Sequence, residues 1–167
     1  MSLCHTSCIM KKIKQKEKTH QDGFTLLEML IVIGIIAILA AAVLVAINPA
    51  RQFRLARDSQ RTSNVTTILN AIGQDISENT GTFKCNGVAT SLPATSTIMK
   101  SIGGFDIASC ITPTYVAALP FDPAKSGAHF TSVTDYDSEY RVSQDVNGRV
   151  TVSADAELST STISATR

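Results

Sequence analysis

Glu28 is the single charged side chain between Phe24 and Ala50, which is otherwise an almost wholly apolar segment. A carboxylate placed in hydrocarbon costs roughly 2.5 to 3.5 kcal/mol on insertion scales, so such a residue tends to have a partner or a function. One interpretation is an ion pair with a cation beside it. The alternative is that Glu28 lies close enough to the end of the segment for its side chain to extend to the membrane interface.

A second group of acidic residues lies in the carboxyl-terminal half. If that segment is extended, Asp135, Asp137 and Glu139 share one face of a strand, and Asp122 and Asp145 lie near it. Carboxylate oxygens suit calcium, which is the one cofactor we consider, but the spacing does not match an EF-hand loop. We favour a solvated acidic edge that discourages strand aggregation, and we expect no metal site.

The sequence lacks the compact motifs of many enzymes, including Gly-x-Ser-x-Gly, a phosphate-binding loop, a dinucleotide fingerprint and His-Glu-x-x-His. After residue 23 one histidine remains, His129, which we expect on a surface strand. These observations predict that the protein is not an enzyme and has no catalytic residues.

Glu28 belongs to an apolar run over residues 24–47. As a helix, this run spans about 36 Å at roughly 1.5 Å per residue, enough to cross a hydrocarbon core of about 30 Å. Several lysines, Gly23 and Phe24 precede the run, whereas a secretory signal peptide has a shorter apolar core followed by its cleavage site. The run therefore predicts a membrane-spanning helix that is retained.

Gly23, the segment Phe24-Thr25-Leu26-Leu27-Glu28 and the apolar run resemble the amino-terminal signal of type IV pilins and type II secretion pseudopilins. The resemblance implies that prepilin peptidase cleaves after Gly23 and methylates the new amine of Phe24. It also implies that Glu28 meets the Phe24 amine of a neighbouring subunit in a filament. Residues 1–23 are then a leader, which is shorter if translation begins at Met10.

The basic leader and the cleavage motif together orient the helix in the inner membrane, with the rest of the chain outside the cytoplasm. Removal of residues 1–23 leaves 10 basic and 12 acidic residues, a net charge of −2 instead of +1. No broad basic field remains to bind nucleic acid. The local arginines 51, 54, 57 and 61 either contact lipid headgroups, which we favour, or pair with acids of a neighbouring subunit.

Beyond Pro49, which should kink or loosen the helix, apolar residues at helical spacing predict an amphipathic helix over residues 48–78. These residues are Val65, Ile68, Leu69, Ile72 and Ile76. Asp58 is placed to pair with Arg54 or Arg61. Residues 79–157 should form a globular head, followed by a disordered Ser/Thr-rich tail over residues 158–167.

Cys85 and Cys110 are the two cysteines beyond the leader. In a small domain outside the cytoplasm they predict a disulfide, which contributes roughly 3 to 4 kcal/mol in the chain-entropy model. Two buried free thiols are the alternative.

The sheet is predicted from alternating residues at 140–143 and 150–153, which flank Asn147-Gly148 and indicate a hairpin with a type I′ turn. A strand at 130–133 would make about three strands packed on the helix, an α+β fold of the pilin type. Residues 98–102 indicate a short helix. Leu-Pro-x-Asp-Pro at 119–123 resembles the element before the sheet in G-type pseudopilins.

The resemblance implies a structural subunit of a type IV pilus or pseudopilus-like filament. Its partners would be prepilin peptidase, other copies or related pilins, the inner-membrane assembly platform and, before assembly, membrane lipid. The alternative is a single-span surface binding domain that does not polymerise. Gly23, Phe24 and Glu28 discriminate between the two, because an anchor needs none of them. The sequence does not distinguish a surface pilus, a secretion pseudopilus and a DNA-uptake fibre, or a major from a minor subunit.

Overall fold

The computed structural model describes residues 23–167, so the predicted leader lies almost entirely outside the described residues. The chain divides between Val45 and Ala46 into two compact units. Helix α1 spans Leu26–Ile47 and helix α2 spans Pro49–Glu78. Antiparallel sheets follow, which confirms the predicted α+β fold.

Both boundaries of α2 have local causes. Asn48, with φ of 48°, caps the helix through its side-chain oxygen, which accepts the Arg51 N–H at 3.3 Å. Pro49 follows at the first helical position, where its missing N–H costs nothing. The proline thus begins a new helix rather than bending an old one. At the other end, Gly81 has φ of 90° and donates its N–H to the Ile76 carbonyl at 2.8 Å, which closes the helix where the sequence predicts a stop.

The remaining elements are short. They are β1 (Lys84–Cys85), β2 (Val88–Ala89), β3 (Thr97–Lys100), α3 (Ala108–Ile111), β4 (His129–Ser132), β5 (Asp135–Gln144), β6 (Val150–Asp155) and β7 (Thr162–Thr166). Strands β1 and β2 form a small antiparallel pair, and the other five form one sheet.

Strand β5 is the centre of the larger sheet. Along one edge it pairs with β3, and along the other it pairs first with β4 and then with β6. Glu139, with φ of 59°, lies between the β4-paired and β6-paired halves of the strand. Strand β7 pairs with the far edge of β6. All these pairings are antiparallel.

The core lies between one face of α2 and this sheet. Alternate residues of β5 are buried, among them Tyr136, Tyr140 and Val142, as the period of a strand requires. The predicted stripe of α2 meets them, with Val65, Ile68, Leu69 and Ile72 buried and Ile76 partly buried.

Residues 98–102 were expected to form a helix, and this prediction is wrong. They contribute to β3, whose Met99 is fully buried. The chain then doubles back, and Phe105 donates its N–H to the Ile98 carbonyl at 2.8 Å. A side chain at Gly104 would overlap that carbonyl, so the turn requires glycine. Pairing with β5 therefore overrides a local pattern too short to specify a helix.

The hairpin between β5 and β6 is confirmed, but its turn is not type I′. That turn needs positive φ at both central residues, and Gly148 has it whereas Asn147 does not. Gly148 donates its N–H to the Asp145 carbonyl at 3.0 Å, and the Asp145 carboxylate accepts the N–H groups of Asn147 and Arg149. The aspartate thus supports a longer loop that ends at a left-handed glycine.

The tail over residues 158–167 was expected to be disordered, and this is also wrong. It forms β7, which matches β6 residue by residue from Thr162 to Thr166. Arg167 then exchanges two backbone hydrogen bonds with Val150, at 2.8 and 2.9 Å. The alternation of threonine, isoleucine, serine and alanine suits a strand that is only half buried.

Candidate functional site

Helix α1 is apolar on every side, and none of its 22 residues is buried. An 18-residue window of the helix has a mean hydropathy of 3.3, and the whole helix is about 33 Å long, so α1 is long and apolar enough to cross a membrane. A soluble protein would hide such a helix in its core. The exposed apolar surface of α1 is compatible with a membrane anchor and with packing against other apolar helices.

The first turn of α1 holds the residues singled out from the sequence. Gly23 and Phe24 precede the helix, and Phe24 is 75% exposed. Thr25 caps it, since its hydroxyl oxygen accepts the Glu28 N–H at 3.1 Å. Thr25 and Glu28 thus have the spacing of a capping box, and the acidic side chain lies at the helix end that favours negative charge. The positive end of the helix dipole accounts for part of the preference for an acidic residue here, but it does not account for a charge inside a membrane-length apolar segment.

The model of the prokaryotic N-terminal methylation motif matches residues 18–44. The chain carries the type IV pilin and pseudopilin signal. This finding confirms the resemblance drawn from Gly23, Phe24 and Glu28, and the apolar helix α1 fits it. No curated protein and no solved structure is significantly similar to the chain.

The pilin signal implies processing by prepilin peptidase. The sequence predicts cleavage after Gly23, immediately before α1, so the apolar helix would stay with the mature chain. Such cleavage would create a cation at Phe24, four residues before the carboxylate of Glu28, and the two groups would supply one positive and one negative charge to the end of an otherwise uncharged helix.

The predicted disulfide is present between Cys85 and Cys110. It joins β1 to the short helix α3 across a sequence separation of 25 residues. Within the joined segment only β3 belongs to the five-stranded sheet, and the disulfide ties together the chain on either side of that strand.

Two of the four arginines, Arg57 and Arg61, pair with acids of the same chain. Arg61 is only 1% exposed and binds the Asp122 carboxylate through two nitrogens, at 2.7 and 2.8 Å. It also contacts Asp58 and Glu157, each at 2.8 Å. Arg57 binds Glu157 with two hydrogen bonds of 2.8 and 2.6 Å. The network fastens α2 to the loop between α3 and β4 and to the β6–β7 connection.

These contacts shift the pKa values of the acids. The guanidinium of Arg57, followed by that of Arg61, lowers the pKa of Glu157 to about 2. Burial opposes ionisation of Asp122, but hydrogen bonds from Arg61 and from the N–H groups of Ala124 and Lys125 hold its pKa below the ordinary value. The network is therefore fully ionised near neutral pH.

The sequence predicted Asp58 as a partner of Arg61, and the contact is present, but it did not predict Asp122 or Glu157. The sequence did contain a signal that Arg61 is buried and needs an acidic partner. Arg61 precedes Val65, Ile68 and Ile72 at spacings of four, seven and eleven residues, which places it on the buried stripe of α2. A cation on that stripe needs a buried anion, and the aspartate of Leu-Pro-x-Asp-Pro provides it.

The five acids considered for calcium are not brought together. Asp122 is buried against Arg61, and Asp145 pairs with Arg149 at 2.9 Å. Asp135 lies 3.2 Å from His129, and Asp137 lies 3.9 Å from Lys100. Among residues 23–167 no group of three or more potential ligands is arranged for a metal ion.

His129 lies on strand β4 with its side chain exposed, as predicted. Its ring donates from Nδ1 to the Gly127 carbonyl at 2.6 Å, and Nε2 lies 3.2 Å from the Asp135 carboxylate. The Gly127 carbonyl and the Asp135 carboxylate both raise the pKa of His129.

Proposed function

We propose that the protein is a structural subunit of a type IV pilus or pseudopilus-like helical filament. It is cleaved after Gly23, methylated on Phe24, stored in the inner membrane as a single-span protein and then assembled through α1. Its partners are prepilin peptidase, other copies or related pilins and the inner-membrane assembly platform. It has no enzymatic activity and needs no cofactor.

The observation that carries this proposal is a carboxylate in an apolar helix that begins at a processing site. Opposite charges about 4 Å apart interact by roughly 4 kcal/mol at an effective dielectric constant of about 20. That gain matches the roughly 2.5 to 3.5 kcal/mol needed to place a carboxylate in hydrocarbon. Pairing of Glu28 with the Phe24 amine of the next copy therefore makes assembly favourable where either charge alone opposes it.

A repeating contact of this kind also explains a filament. The carboxylate of one copy and the amine of another are different surfaces, so the contact is head-to-tail and does not close on itself. An anchored surface domain that does not polymerise, the alternative, gains nothing from a carboxylate in its anchor.

The test compares three variants in cells that assemble the filament. Glu28→Gln keeps the length and hydrogen-bonding capacity of the capping side chain but removes its charge, and Glu28→Ala removes both. Asp155→Asn is the matched control, because it removes one exposed acid from the head, where Asp155 pairs with Lys125 at 3.0 Å. Filament yield in the sheared fraction is measured at equal membrane abundance.

We expect both Glu28 variants to be inserted and cleaved normally, since losing a charge makes α1 more hydrophobic, and to lose most of the sheared filaments. The control should shear like the parent. Normal filament yield from Glu28→Gln would contradict the pairing mechanism. Loss in Glu28→Ala alone would assign the residue to helix capping instead.

A further inference from the structure

The two remaining arginines, Arg51 and Arg54, lie at the start of α2 and are exposed. Neither forms an ion pair with another residue in the range 23–167. They lie three residues apart and therefore occupy one side of the helix. The four arginines thus fall into two groups, one satisfied by acids of the head and one without an anion from the described chain.

The same two groups of arginines also differ in their distance from the start of α2. Arg51 and Arg54 lie two and five residues after Pro49, about 3 and 8 Å along the axis of α2, whereas Arg57 and Arg61 lie about 12 and 18 Å along it. The polar headgroup layer on each side of a bilayer is only about 5 to 7 Å thick. If α1 spans the hydrocarbon, Arg51 and Arg54 follow it most closely along the chain, whereas Arg57 and Arg61 lie one to two turns farther along α2 and are held by acids of the head.

The neighbouring residues also suit a lipid interface. Phe53 is 65% exposed and Leu55 is 39% exposed, so two apolar side chains lie beside the arginines without packing on the head. The first turn of α2 contains no acidic residue, although the positive end of a helix favours anions. Arg51 lies in that turn, where the helix dipole disfavours a cation, and an anion bound there would offset this effect.

We propose that Arg51 and Arg54 bind the phosphate groups of anionic phospholipids, with Phe53 inserted beside them, while the subunit is stored in the membrane. The arginine guanidinium matches phosphate geometry through paired N–H donors, and the surface of an anionic leaflet attracts such cations. The inference rests on the proposed membrane anchoring but not on filament assembly. It predicts a preference for anionic over zwitterionic lipids around this one helix end.

The experiment reconstitutes the full chain in mixed phosphatidylglycerol and phosphatidylcholine vesicles. Electron paramagnetic resonance with spin-labelled forms of each lipid measures their relative association with the protein. The variant is Arg51→Gln/Arg54→Gln. The matched control is Lys125→Gln/Arg149→Gln, which removes the same charge from exposed cations of the head.

We expect the arginine variant to lose preference for phosphatidylglycerol by about fivefold for each arginine, with the control unchanged. An unchanged preference in the arginine variant overturns the proposal, and so does an equal loss in the control, which would indicate bulk charge. If the arginines instead pair with acids of a second copy, the variant keeps its lipid preference and loses self-cross-linking. Failure of the parent to float with the vesicles would count against the membrane anchor itself.

Discussion

Removal of Arg61 should destabilise the head more than removal of any other arginine, and we expect the effect to be large. Arg61→Met keeps an unbranched side chain on the buried stripe of α2 but deletes the cation that binds Asp122, Asp58 and Glu157. Breaking a buried ion pair by removing one partner costs about 3 to 5 kcal/mol, because the other charge stays buried. The structure places the loss near the lower end of that range.

Two features limit the loss. Asp122 keeps hydrogen bonds from the N–H groups of Ala124 and Lys125, both at 2.9 Å, and Glu157 keeps Arg57. A loss of about 3 kcal/mol is still a large part of the 5 to 15 kcal/mol that stabilises a typical domain. It should lower the melting temperature by about 10 to 15 °C for a head of this size.

The measurement is urea unfolding of the full chain in detergent, followed by the near-ultraviolet circular dichroism of its tyrosines. Arg54→Met, an exposed arginine of the same helix, is the control and should change stability by less than about 0.5 kcal/mol. Arg61→Met/Asp122→Leu should recover most of the loss, since apolar pairs can replace buried ion pairs. A loss below about 1 kcal/mol in Arg61→Met, or no recovery in the double variant, would refute the reasoning.

The same network predicts how the stability of the head depends on pH. The pKa values of Asp122 and Glu157 are lowered on folding, so their contribution is present above the ordinary carboxyl pKa and is lost as the pH falls toward about 2. The parent should therefore lose stability steeply between about pH 4.5 and pH 2, and the double apolar variant should lose less.

The remaining predictions concern processing and the disulfide. Intact-mass measurement should give a mature chain that begins at Phe24 and carries one added methyl group; a chain that retains the lysines before Gly23, in cells with active prepilin peptidase, would contradict the signal. Cys85 and Cys110 should resist alkylation in natively extracted protein until it is reduced, and Cys85→Ser/Cys110→Ser should cost roughly 2 to 4 kcal/mol of unfolding free energy. Two thiols that alkylate freely without reduction would mean that the head does not reach an oxidising compartment.

The parts of the fold that were predictable have strong local signals. The apolar run defined α1 because its length and uniform composition fit little besides a membrane-length helix, and the stripe from Val65 to Ile76 defined the buried face of α2. The hairpin of β5 and β6 was predictable from alternation on both sides of Asn147-Gly148. Its turn type was not, because the Asp145 side chain supplies backbone hydrogen bonds that the dipeptide signal ignores.

The missed features depend on contacts distant in sequence. Strand β3 exists because β5 offers it an edge, and β7 because β6 does, and the alternation in each segment is too short to specify a strand without that partner. The Arg61 network joins residues that are far apart in the sequence: Arg61 and Asp122 are separated by 61 positions, and Asp58 and Glu157 by 99. Only the folded chain reveals such contacts. Glu28 could be singled out from the sequence because a charge in an apolar, membrane-length segment is anomalous without reference to any contact, and its role in assembly stays a prediction.

Chemical cross-linking of assembled filaments tests the central claim most directly. A hydrophobic carbodiimide activates buried carboxylates, so it should join Glu28 to the Phe24 amine through an amide bond. Filaments assembled from a mixture of ordinary and isotopically heavy subunits distinguish links between copies from links within one copy, because only the former combine light and heavy peptides. The account predicts mixed-isotope peptides that join Phe24 to Glu28. Links confined to single-isotope peptides, or the absence of any link from Phe24 in filaments whose Glu28 has reacted, would contradict it.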